Sequence, residues 1–246
     1  MATSIPVRLG KEPLLEAIWE IRFSPAVESV AELLPGALFR ALGGRFRNLV
    51  RLPGSYIPAP MSQLDPAVAF SPKIRLENDN QAILLGDKVL GLSCRRPYSG
   101  WAKFSADIRE LAAVFRDSGL AKKVERFSLK YIDLLEIPQC AGLDCLNVCL
   151  SLAERKVSTE PVHIQTEIKE NGLVHIVQVV SPAEAWIPGA QDRLKGVWVA
   201  IDSIETLASE DPWQRLEERL DYVHTACKKV FFELLKRDTM KQLETQ

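Results

Sequence analysis

The chain has 246 residues, 47% hydrophobic and 26% charged, with 31 Lys and Arg against 32 Asp and Glu for a formal net charge of −1. That size suits one large domain or two small ones, and the balanced charge excludes a global field that would draw nucleic acid or an anionic membrane surface. No run approaches the roughly eighteen apolar residues of a membrane span, and Met1 to Val7 lacks the charged and apolar regions of a signal peptide, so the sequence predicts a cytoplasmic protein.

Glu16 to Phe23 reads as a strand. Ala17, Trp19, Ile21 and Phe23 fall on one face and Glu16, Glu20 and Arg22 on the other, with Ile18 the exception. A helical pattern follows from Val27 to Leu42, where Pro35-Gly36 predicts a kink or a split and Gly43-Gly44 ends the run. Pro53, Gly54, Pro58, Pro60 and Pro66 leave a strand fragment at Leu49 to Leu52 and then a loop. Lys73 to Glu77, Gln81 to Leu85 and Val89 to Cys94 form a meander turned at Asn78-Asp79-Asn80 and Gly86-Asp87. Ser99 is placed to cap a helix that reaches Ser118 and buries Trp101, Phe104, Ile108, Leu111 and Phe115.

Val124 to Ile137 reads as a long strand ended by Pro138. Leu143 to Glu154 predicts a short helix. Val162 to Lys169 alternates, with Val162, Ile164 and Ile168 inward and His163, Gln165, Glu167 and Lys169 outward. Asn171-Gly172 is a hairpin signal into Leu173 to Val180. Leu194 to Ile204 is apolar on both faces, the pattern of a central strand. Asp211-Pro212 opens one long helix to Lys236, whose stripe is Trp213, Leu216, Leu220, Val223, Cys227, Val230, Phe231 and Leu234, with a polar tail after it. The order predicts an α+β protein of two similar halves, 1–120 and 121–246. Each is a mainly antiparallel sheet packed by amphipathic helices.

Cys140, Cys145 and Cys149 lack Cys-x-x-Cys spacing and have no histidine nearby, so they read as core thiols in a reducing compartment, with no metal. His163 and His175 flank the Asn171-Gly172 turn and read as members of a polar outer face. His224 lies beside the last helix stripe. Gly-x-Ser-x-Gly, Walker and Gly-x-Gly-x-x-Gly motifs are absent, which argues against a hydrolase elbow, a nucleotide loop and any cofactor. Asp133 shares parity with Phe127, Leu129, Tyr131, Leu135 and Ile137, and a carboxylate there is paired or titrates. Asp202 sits similarly between Ala200 and Ile204. Paired inward carboxylates suit acid–base work or a metal, although pairing with Arg or Lys is the simpler reading.

Basic side chains cluster at Arg40, Arg45, Arg47 and Arg51, at Arg95 and Arg96 beside Tyr98, and at Lys122, Lys123, Arg126 and Lys130. Arg95, Arg96, Arg126, Lys130, Asp133 and His224 are the candidate ligand residues, in a groove between the halves. The Pro-rich stretch from Pro53 to Pro72 is the candidate docking loop, through Tyr56, Ile57, Met61 and Phe70.

Four stretches carry a family likeness. They are Leu9-Gly10-Lys11-Glu12-Pro13-Leu14-Leu15-Glu16-Ala17-Ile18-Trp19-Glu20-Ile21-Arg22-Phe23, Tyr98-Ser99-Gly100-Trp101-Ala102-Lys103-Phe104, Arg126-Phe127-Ser128-Leu129-Lys130-Tyr131-Ile132-Asp133, and Leu220-Asp221-Tyr222-Val223-His224 with Val230-Phe231-Phe232. In this order they resemble a sporadically distributed bacterial family of about this length. That family has an opening Lys-x-Pro-Leu/Ile-x-Glu-Ala motif, a central Arg-Tyr-Ile-Asn-like strand and a closing Asp-x-x-His helix. The chain departs from the pattern at Glu12, Lys130 and Asp133. The resemblance implies a defence-associated or toxin–antitoxin-like setting and no particular reaction. The expected function is therefore that of a non-enzymatic accessory protein that binds another protein encoded nearby, with homo-oligomers open. The alternative is a sensor of a small ligand, nucleotide or nucleic acid.

Overall fold

The computed structural model describes residues 9–57, 65–137, 142–186, 192–207 and 213–244. Met61, Cys140 and the Asp211-Pro212 pair lie outside them. In chain order the main elements are β1 (Leu14–Pro25), α1 (Val30–Ala41), β2 (Asn48–Arg51), β3 (Ile74–Glu77), β4 (Gln81–Leu85), β5 (Val89–Arg95), α2 (Trp101–Asp117) and β6 (Ala121–Leu135). There follow β7 (Leu150–Leu152), β8 (Arg155–Val157), β9 (Val162–Glu170), β10 (Leu173–Ala185), β11 (Leu194–Thr206), α3 (Leu216–Leu234) and α4 (Arg237–Glu244). Nine strands are hydrogen-bonded in the order β2-β3-β4-β5-β1-β6-β11-β10-β9, and β7 pairs with β8 separately. The class is α+β, as predicted. No helix among the described residues is long and apolar enough to cross a membrane.

The chain divides into two compact units. The first comprises Met1–Leu15, Lys130–Ser203 and His224–Gln246, and the second Glu16–Leu129 and Ile204–Val223. Each unit therefore draws residues from both halves of the sequence, with boundaries inside β1, β6, β11 and α3.

In the second unit the odd-numbered side chains of β1 face the helices. Phe23 meets Phe115 of α2 with ring centroids 4.8 Å apart, and Trp19 meets Phe127 of β6 edge-on at 6.2 Å. Helix α2 buries Phe104, Ile108, Leu111 and Phe115 of its predicted stripe, while Trp101 is half-buried. Its N-cap is Gly100 at φ +88°, with no side-chain cap, so the predicted Ser99 cap is corrected. The Ser99 hydroxyl lies instead 3.9 Å from the Cys94 sulfur. Helix α1 runs unbroken through Pro35, so the chain does not split there. The bond lost at proline is offset by four core side chains on one face, Val30, Ala31, Leu34 and Leu38.

In the first unit α3 and α4 share one apolar cluster with the sheet, including Leu135, Val177, Val179, Val197, Val199, Ile201, Cys227, Val230, Phe231 and Leu243. The predicted single last helix stops at Leu234. Leu235 bridges to Leu146, and the Asn147 amide donates to the carbonyls of Glu233 and Leu235 at 3.0 and 2.9 Å. The expected polar tail is a second helix with Leu243 buried. Leu143 to Glu154 is likewise not a helix: Gly142–Cys145 makes one 3-10 turn and then β7 begins. A Cβ at Gly142 would lie 2.0 Å from the Ser158 carbonyl oxygen, and Ala153 turns the β7–β8 hairpin at φ 51°. The expected helix-face pairing of Cys145 with Cys149 falls with it. Cys145 is disulfide-bonded, a correction to the reading of core thiols, whereas Cys94, Cys149 and Cys227 are free.

Candidate functional site

A buried polar cluster lies where α3 crosses β6, β10 and β11 in the first unit. Strand alternation aims Tyr131 and Asp133 at the helix, and Ser203 of β11 and His175 of β10 at the same layer. His175 was expected on an outer face. It is 1% exposed, and its Nδ1 lies 2.8 Å from the Ser203 hydroxyl, itself fully buried. His163 stands across from Val180, not His175, so the two histidines do not meet across the hairpin. His224 shares a 2.8 Å hydrogen bond through Nδ1 with the Tyr131 hydroxyl, and its ring stands edge-on to the tyrosine at 5.8 Å. One turn further along α3 the Cys227 thiol donates to the Ile201 carbonyl at 3.6 Å.

Burial governs the protonation of this cluster. Asp133 is 6% exposed, and desolvation, helped by the nearby Glu12 carboxylate, pushes its pKa up to about 8. The sequence reading favoured an Arg or Lys partner for Asp133, but no described cationic side chain forms an ion pair with it. The Cys227 thiol is pushed up to about 12, mainly by burial, with the Asp133 and Asp202 carboxylates adding and a Ser203 hydrogen bond opposing. Burial lowers His175, against the pull of Glu170, while Lys229 adds to the lowering. At neutral pH the group is thus a neutral acid, a neutral imidazole and a neutral thiol. The Ser203–His175 pair has the spacing of a nucleophile and its base, but burial of both denies it a substrate. Asp202 alternates away from Ser203 and does not join Asp133 on the helix face. Among the described residues no three His, Cys, Asp or Glu side chains are placed to hold a metal.

One measurement checks this description. Of the three free thiols among the described residues, only Cys149 is exposed. A thiol reagent should label Cys149 in the native protein and reach Cys94 and Cys227 only after unfolding. Rapid native labelling of Cys227 would contradict its burial.

The candidate ligand residues part company. Asp133 and His224 belong to the helix layer, while alternation puts Arg126 and Lys130 on the opposite face of β6. Arg95 stands opposite Glu16 on β1, on the face turned away from α1 and α2, with its guanidinium 3.7 Å from Glu77, which Arg75 holds at 2.8 Å. Arg96 precedes Pro97 through a cis peptide bond. In the candidate docking loop Tyr56 is 76% exposed, Ile57 is half-buried, and Phe70 lies under the Arg22 guanidinium, 4.5 Å from ring centroid to carbon.

A different feature of the second unit stands open. Helices α1 and α2 flank a groove of about 800 Å³. Leu33, Ala37, Ala41, Ala113, Val114 and Leu120 line it together with Arg40, Glu110, Asp117 and Ser118. Leu33 is 55% exposed, and Phe39 on the same helix 61%. The sequence reading missed this groove. Its only signal was that α1 is apolar nearly all round, with Leu33, Ala37 and Ala41 one step off the buried stripe. Neither protein-family models nor curated proteins yield a match to this chain.

Proposed function

We propose that this protein is a non-enzymatic accessory or regulatory subunit that works by binding another protein. The observation that carries the reading is the α1–α2 groove, because an apolar trough with an open Leu33 loses free energy to water until something covers it. Its occupant is an amphipathic helix of the partner. Small side chains at Ala37, Ala41 and Ala113 let a helix backbone approach closely, and apolar residues at i, i+4 and i+7 fill the trough. The charged lining sets its polarity: Arg40 on α1 calls for an acidic residue, while Asp117 on α2 is held by Arg116 at 2.9 Å. Glu110 is already held by Arg45 at 2.7 Å. The resemblance to a defence-associated family supports a partner encoded nearby.

The ligand-sensor reading has less behind it, since Arg95 is engaged with Glu77 and the other candidate residues lie on different faces. The experiment is affinity purification of wild type and Leu33→Glu from the native host. A stoichiometric protein should accompany wild type, and the variant should lose at least about tenfold of it with an unchanged melting temperature. The same yield from both would end the groove's role. A thermal shift with nucleotides or oligonucleotides and no protein partner would move the reading to the sensor.

A further inference from the structure

Strand β9 closes one end of the sheet order, and among the described residues no strand lies against its outer edge. It is nine residues long, Val162-His163-Ile164-Gln165-Thr166-Glu167-Ile168-Lys169-Glu170, and exposed over most of both faces. An outer row of unpaired N–H and C=O groups of this length is a template for another strand. Natural edges of this kind are blunted by proline, by bulges, by being short or by charge; β9 has no proline and pairs with β10 residue for residue, and its charges, Glu167, Lys169 and Glu170, gather at one end.

We infer that β9 pairs antiparallel with β9 of a second copy, about a two-fold axis through Thr166, joining two sheets edge to edge. The occupant follows from the strand's own pattern. With Thr166 facing Thr166 of the second copy, all nine residues overlap, Ile164 meets Ile168 twice, and Gln165 meets Glu167 twice. Ile164 and Ile168 stand beside Val179 and His175 of β10, so they extend the helix-covered apolar face past its cover, and Ile168 is 40% exposed. Pairing them across the axis completes that face. On the other face the Gln165 side-chain oxygen already accepts from the Gln178 amide at 2.6 Å. The Gln165 amide group is therefore turned to donate, and the carboxylate opposite it accepts. Shifting the axis by one residue in either direction takes Ile164 and Ile168 out of contact and shortens the ladder. His163 facing Lys169 and Val162 facing Glu170 are the pairings that gain nothing. A foreign extended peptide would meet the same backbone edge but not this two-fold match of side chains. All of these residues lie in the first unit, so the inference stands apart from the α1–α2 groove.

Sedimentation of wild type should show a concentration-dependent dimer. Ile164→Lys with Ile168→Lys opposes like charges at both apolar pairs and should weaken the dimer at least about tenfold. Ile164→Lys with Ile168→Glu makes each pair opposite in charge and should restore it. In a Cys149→Ser background, Thr166→Cys should cross-link to itself on mild oxidation, because facing residues of an antiparallel pair have Cα atoms about 4.5–5.5 Å apart. Gln165→Cys should not, since it faces Glu167. Melting temperatures establish that each variant is folded. A wild-type monomer at every soluble concentration would overturn the inference, as would a folded Lys/Glu variant that stays monomeric, or cross-linking at 165 in place of 166.

Discussion

Replacing Asp133 by Asn should remove a fall in stability that wild type suffers as pH rises from about 5 to 8. An unfolded aspartate ionises near pH 4, and burial holds the folded group to about 8. Between those limits the native state keeps a proton that the unfolded chain has released, so raising the pH favours unfolding. The contribution is present in full below about pH 4 and disappears as pH climbs through the folded value. Its slope is about 1 kcal/mol per pH unit inside the window, several degrees in melting temperature for each unit in a chain of this size. Asparagine has nearly the same shape and cannot ionise, so its stability profile should be flat where that of wild type falls, and the two should approach each other near pH 5. His175 supplies the opposite limb. Its pKa is lowered in the fold, so its contribution is complete above about pH 6.5 and is lost as pH falls below that. Asp133→Asn should leave this acid limb in place. Parallel profiles for the two proteins from pH 5 to 8.5 would mean that Asp133 is solvated or partnered in solution, and the account of the buried cluster would fail with it.

Asp133 was legible in the sequence for the same reason that it is perturbed: its parity with Leu129, Tyr131 and Leu135 fixes which way it points. His175 was not legible, because β10 is apolar on both parities. Leu173, Val177 and Val179 lie on one and Val174, Ile176 and Val180 on the other, so only the helix that covers one face decides between them. The hairpin at Asn171-Gly172 was legible because both residues take positive φ, 50° and 79°, which few other pairs do cheaply. Residues 143 to 154 misled because Leu143, Leu146 and Leu150 imitate helical spacing, while the deciding features are a tight approach at Gly142 and a turn at Ala153. The end of α3 carries no glycine or proline at all. It stops where Leu235 and the carbonyl of Glu233 find better partners at Leu146 and Asn147, a tertiary preference that local pattern does not encode. The groove followed the same rule: α1 has two apolar stripes, and the fold alone decides which one is buried.

Among changes to the polar network of the second unit, Asp107→Ala should be costly. Asp107 is 2% exposed on α2, and it accepts from the Gln81 amide at 2.9 Å. Lys103 pairs with its other oxygen, and Arg45 stands 3.6 Å away. The partners differ in what they lose. The heads of Lys103 and Arg45 are 58% and 34% exposed and return to water, whereas Gln81 is 7% exposed and keeps a desolvated amide with no acceptor. An unsatisfied buried amide plus the vacated volume costs about 3 kcal/mol. Asp107→Asn retains an acceptor for Gln81 and gives up only charge that water partly screens, so it should cost about 1 kcal/mol. The double change Gln81→Leu with Asp107→Leu removes both polar groups together and leaves nothing desolvated, so it should recover most of the loss even though it deletes the ion pairs outright. Chemical denaturation of the three variants gives the ranking directly. If the double variant proved the least stable, the ion pairs with Lys103 and Arg45 would be the stabilising feature, and the Gln81–Asp107 hydrogen bond an accessory to them.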